Sequence, residues 1–174
     1  AIIEKVGLYD EELVRNQDDE YNYRIREAGG KILLAEDVKS EYYSRGSLKK
    51  LWKQYYQYGF WKVRVLQKHP RQMSLRQFVP FAFVMTLIIA LLLSLLISWF
   101  RMALPALLAA YLLANLSASI LTASGHGLKK LLLLPFAFSI IHLSYGMGFL
   151  VGLFKFWNRW SDRSGQIPTL HWNN

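Results

Sequence analysis

Residues 78–100 read FVPFAFVMTLIIALLLSLLISWF, without one Asp, Glu, Lys or Arg. At about 1.5 Å per helical residue the run is roughly 35 Å long, enough to cross the hydrocarbon core of a bilayer. A buried helix of a soluble domain rarely keeps that length uncharged, so the run predicts a membrane span. Residues 102–122 and 131–154 repeat the pattern. Pro80, Pro105 and Pro135 fall near the starts of the three runs, where a missing N–H is harmless. Trp99, Trp157 and Trp160 fall where membrane–water interfaces are expected. In the third run Ser144, Gly148 and Gly152 form a small-residue face suited to helix packing.

Composition agrees with a membrane chain, since 53 % hydrophobic residues with 15 % aromatic is too apolar for a wholly soluble domain. The net charge of +9 is unevenly spread. Residues 1–41 carry 6 basic and 11 acidic side chains, residues 42–77 carry 9 basic and none acidic, and the remainder 6 basic and 1 acidic. A basic middle next to apolar runs points to anionic membrane lipids. Lys62, Arg64, Lys68, Arg71 and Arg76 precede the first run, which puts the front of the chain on the cytoplasmic side. Three crossings would then put the tail outside, whereas Lys155, Arg159 and Arg163 favour the cytoplasm, with the second run a re-entrant hairpin; both arrangements stay open. Asn115 and His142 are the strongly polar side chains within the runs, suited to interhelical hydrogen bonds. The absence of cysteine excludes disulfides, thiolate metal sites and a Cys nucleophile, and the four His residues are too scattered for a metal motif.

Upstream of the spans, Ser47 caps a helix in which Lys49, Lys50, Lys53, Lys62 and Arg64 interleave with Trp52, Tyr55, Tyr56, Tyr58, Phe60 and Trp61. This pattern predicts an interfacial helix with its apolar face among headgroups and its lysines snorkelling to lipid phosphate. Nucleic acid also takes basic and aromatic side chains, but a span follows within a dozen or so residues, and no nucleic-acid partner is expected.

At the front, residues 16–30 read NQDDEYNYRIREAGG. Asn16 suits an N-cap, Asp18, Asp19 and Glu20 complement the positive helix end, Arg24 and Arg26 sit late, and Gly29 closes the helix in the left-handed region. Three consecutive acids repel one another and raise at least one pKa unless a substrate, metal or Arg stands near. A solvated first turn explains the same residues without a site. Residues 31–35 and 38–43 read as two short strands.

Gly7-Leu8-Tyr9-Asp10-Glu11, followed by Gln17-Asp18-Asp19-Glu20-Tyr21-Asn22-Tyr23-Arg24-Ile25 and Gly29, resembles the late part of a family 2 glycosyltransferase catalytic domain. The likeness is nearest to the membrane-bound enzymes of exopolysaccharide synthesis, of the succinoglycan kind. Aligned on Arg24 and Gly29, the catalytic Asp of the family falls on Asp18; Gln17 replaces the usual Glu before it and Glu20 the second Asp. The resemblance makes Asp18 the base; Asp19 and Glu20 beside it are expected to raise its proton affinity and to bind acceptor hydroxyls, and Arg24 to pair with an acid and hold the helix mouth. Gln54-Tyr55-Tyr56-Gln57-Tyr58 resembles the Gln-x-x-Arg-Trp signature of processive members, with Gln57 and Tyr58 departing from it. Gln54, Gln57 and Tyr58 become candidate contacts to acceptor or product.

The fold class this implies is an α/β fragment, the C-terminal part of a GT-A domain, followed by an all-α membrane region of three transmembrane helices. Its boundaries are residues 1–46 for the catalytic part, 47–77 for the interfacial helix, 78–155 for the spans and 156–174 for a polar tail. The chain opens on Ala1 within a helix pattern, so the nucleotide-binding half with its Asp-x-Asp motif is expected upstream, together with the family's divalent metal, Mg or Mn; no metal ligand is assigned here. The partners implied are a nucleotide-sugar donor and a lipid-linked or growing saccharide acceptor, used by an inverting enzyme of the inner membrane. A reading of another class is a non-catalytic three-span scaffold, or a lipid-binding subunit, with an acidic cytoplasmic head.

Overall fold

A computed structural model describes residues 2–41, 46–127, 131–163 and 165. Among them every regular element is helical. α1 is Ile2–Val6, α2 Gln17–Glu27, α3 Leu48–Lys68, α4 Val79–Leu96, α5 Ala103–His126 and α6 Leu134–Lys155, with short 3₁₀ turns at Pro70–Gln72, Leu75–Phe78 and Ser98–Met102.

The expectation of an α/β fragment is therefore corrected. Residues 31–35 are irregular, and so are residues 38–41; residues 42 and 43, which complete the second expected strand, lie outside the described residues. A strand exists only through a ladder to a partner, and none is supplied among the described residues. Leu33 and Leu34 consequently stand 90 % and 95 % exposed.

α2 begins differently from expectation. Asn16 occupies the cap position with φ 64°, a left-handed conformation Asn tolerates, but its side chain makes no cap bond. Its amide instead donates to Tyr58 O of α3 at 3.1 Å. Gly29, at φ 84°, closes the other end.

α3 and α6 run side by side in the same direction. Leu48 and Leu51 share a cavity with Leu134 and Ala137 at one end, and Gln67 Nε2 donates to Phe156 O at 2.7 Å at the other. Glycine permits the close approach between them. A Cβ on Gly59 would lie 2.1 Å from Tyr145 O, and one on Gly148 only 2.0 Å from Tyr56 O. The small-residue face of α6 is thus used inside the chain, with Gly148 and Gly152 against the α3 backbone. Val63, Phe149 and Phe156 form the buried centre of this contact, and Phe60, Trp61, Phe78, Phe81 and Tyr145 pack around them.

Segments Leu75–Leu96, Ser98–Ser124 and Leu134–Lys155 are each long and apolar enough to cross a membrane. The first two are sparsely buried, as lipid-facing helices would be. α5 is fixed to α6 by Asn115, whose amide donates to Ser139 Oγ at 2.9 Å and to Pro135 O at 3.1 Å, and by Tyr111 Oη against His142 Nδ1 at 3.1 Å.

Candidate functional site

The site is assembled where the α2 mouth meets the C-terminal half of α3 and the membrane helices. Four consecutive residues of α3 and a fifth one turn on are decisive, because Val63 and Val65 pack apolar surface while Lys62, Arg64 and Lys68 are buried beside carboxylates. Lys62 pairs with Asp19, and Lys68 with both Asp10 and Glu12. Arg64 meets Glu12 at two contacts of 2.9 Å and donates to Asp162 O at 3.1 Å. Arg159, after α6, also contacts Glu12 and Asp162. Lys62, expected to snorkel to lipid phosphate, is taken by the acidic head instead, as is Arg64, since a buried cation needs a hydrogen-bonded counter-charge. Lys49, Lys50 and Lys53, near the start of α3, are exposed.

This network sets the local protonation. Burial alone would raise the Glu12 carboxyl, but its bonds to Arg64 and Lys68 prevail and lower it from 4.5 to about 2. Glu20 is fully buried, accepting from Arg24 at 2.6 and 3.0 Å and lying 2.9 Å from His69 Nε2. Burial again opposes ionisation, yet His69 and Arg24 overcome it and hold Glu20 below the usual carboxylate range. The condition attached to three adjacent acids is thus met by Arg24, and the Glu20 pKa moves down.

The three acids part company. Glu20 points away from the mouth into its pairs with Arg24 and His69, and Arg24 also donates to Val6 O and to Leu8 O, tying α1 and its following loop to α2. Asp19 reaches Lys62. Asp18 is exposed and has no hydrogen bond or ion pair among the described residues.

Asp18 opens onto a cleft of about 440 Å³ that Asp19, Tyr58, Lys62, Gln77 and Tyr145 also line, with Pro80 at the start of α4. A second hollow of about 340 Å³ shares Asp18 and Tyr58 and continues to Tyr9 and Arg15. A carboxylate with a free coordination sphere, an aromatic face, a lysine and a tyrosine therefore surround one space. Gln54 and Gln57 are not in its lining. Gln54 Nε2 donates to Tyr58 Oη at 2.7 Å, and Gln57 Oε1 accepts from Arg15 Nε at 3.1 Å, so both hold the wall in place.

Lys62 and Tyr145 were missed from sequence. Tyr58 and Lys62 are four residues apart on α3 and so share a helix face, a signal that was available. Nothing local places Tyr145, which arrives from α6. The residues present do not fit a divalent metal, because no group of three His, Asp or Glu side chains capable of holding one occurs among the described residues, and Asp19 is committed to Lys62.

No family model and no solved structure matches the chain. Over 77 residues it is 38 % identical to the succinoglycan biosynthesis protein ExoA of Rhizobium meliloti (strain 1021), a match that covers 44 % of this chain. The chain spans 23 % of that relative's length. Over part of its length the chain is thus similar to a succinoglycan biosynthesis protein, and three of its helices are long and apolar enough to cross a membrane.

Proposed function

We infer that the protein carrying this chain is a membrane-anchored glycosyltransferase of exopolysaccharide biosynthesis, similar to family 2 enzymes, working at the cytoplasmic face of the inner membrane. The observation that carries this reading is the free Asp18 carboxylate in a cleft whose other walls come from the membrane-proximal helices. The similarity to a succinoglycan biosynthesis protein supports the same class.

In an inverting transfer the acceptor oxygen attacks the anomeric carbon as the nucleoside diphosphate leaves, and a carboxylate takes the hydroxyl proton. Asp18 is the base. Tyr58 offers a flat face to the C–H groups of an acceptor sugar. Asp19, paired with Lys62, and Glu20, paired with Arg24, fix the helix that aims Asp18. An acceptor carried on a lipid would reach this cleft from the side of Pro80 and Tyr145. The donor is a nucleotide sugar, bound outside these residues together with any metal the donor requires.

Asp18→Asn keeps size but cannot accept a proton at neutral pH, so turnover should fall by roughly 10² to 10⁴ with donor affinity unchanged. Asp19→Asn should cost much less. Wild-type turnover in Asp18→Asn, with loss in Asp19→Asn, would move the base to the neighbouring carboxylate.

A further inference from the structure

On the opposite flank of α2 from Asp18 lies a larger cavity, about 830 Å³, into which Lys5, Arg24, Lys68, His69, Arg71 and Arg163 converge. Glu27 is the acid in its lining, and it is engaged with Tyr23. Three of these six side chains are spent. Arg24 and His69 hold Glu20, and Lys68 holds Asp10 and Glu12. The other three are open: Lys5 touches only the Ala28 carbonyl, at 3.0 Å, and Arg71 and Arg163 have no hydrogen bond or ion pair among the described residues. All three are exposed.

Buried pairs behind, open cations in front and a tyrosine in the wall make an electropositive hollow shaped by three separate parts of the chain. Guanidinium groups present paired donors that match phosphate oxygens, and Arg71 stands eight residues before the start of α4, at the approach to the apolar helices. The volume exceeds what a single phosphate needs and leaves room for an ester substituent.

We propose that this cavity is an anion site for a phosphate or diphosphate ester, with Lys5, Arg71 and Arg163 as its ligands. The two sources of that chemistry are a phospholipid-type headgroup and a soluble phosphate. The site stands on its own cations and does not depend on Asp18 or on glycosyl transfer, so it is tested by binding alone.

The chain is reconstituted in phosphatidylcholine nanodiscs and titrated with inorganic pyrophosphate in one arm and dihexanoyl phosphatidic acid in the other. Saturable binding of pyrophosphate identifies the soluble source, and binding of the lipid alone identifies the headgroup. In either case Arg71→Gln/Arg163→Gln should weaken binding by at least about tenfold, and added NaCl should weaken it further. Lys31→Gln/Lys39→Gln, outside the cavity lining, should leave it unchanged. Since Arg71 and Arg163 form no ion pair among the described residues, the thermal transition of the first double variant should match that of the parent. Failure of both probes to bind, binding by the Arg71/Arg163 variant as tight as the parent's, or an equal loss in the Lys31/Lys39 variant would overturn the site.

Discussion

Asp18, Asp19 and Glu20 are adjacent in sequence and about 100° apart around a helix, so they cannot share a task. Their division follows from what each direction meets: open cleft, Lys62, and the Arg24–His69 pocket. The sequence made the acidic mouth and the Arg24 register visible, because charge spacing on a short helix is local. It could not show that Lys62, Arg64 and Lys68 are buried, since each is matched to a carboxylate more than forty residues away. Glu12 reports on that network most sensitively. Its folded pKa is about 2 against an ordinary 4.5, so its stabilisation is complete above pH 4.5 and disappears as pH falls from there toward 2. On the order of 3 kcal/mol is involved at neutral pH. Limited proteolysis in detergent should therefore show residues 2–41 becoming cleavable between pH 4.5 and 3. In Glu12→Gln that pH dependence should be largely gone, with cleavage already raised at pH 7.

Among the elements, the contact of α3 with α6 decides the architecture, and it was half legible. The four-residue spacing of Ser144, Gly148 and Gly152 announced a packing face but gave no partner. α3 reads as an interfacial helix because its first half, with exposed Lys49, Lys50 and Lys53, has that composition. Gly59 in its second half is where backbone meets backbone. Gly148→Val should separate the helices, since any Cβ there collides with a main-chain carbonyl that cannot rotate away. Overpacking of this kind costs about 1–3 kcal/mol, to be read as a lowered unfolding midpoint in mild detergent. The expected strands failed for the opposite reason: residues 31–35 have a suitable apolar run, but strand formation depends on a partner and not on the run itself.

One chain of pairs joins Asp10 and Glu12 in the head, Arg64 and Lys68 at the end of α3, and Arg159 and Asp162 after α6. A charged network of this size cannot be divided by hydrocarbon, so the head and the segment after α6 share one side of the membrane. Of the two arrangements that Lys and Arg counting leaves open, this favours the one with both ends together, in which the apolar runs cross an even number of times. Reporters fused before Ala1 and after Asn174 should both give a cytoplasmic signal, and opposite signals would contradict the network. On the function proposed above, the chain belongs to an enzyme that moves a sugar onto an acceptor at that face. Membranes from cells with and without the protein, incubated with labelled nucleotide sugars, measure it directly. The expected result is protein-dependent transfer of label from at least one donor into solvent-extractable lipid or polymer, lost in Asp18→Asn at equal protein level; no protein-dependent transfer from any donor would contradict it.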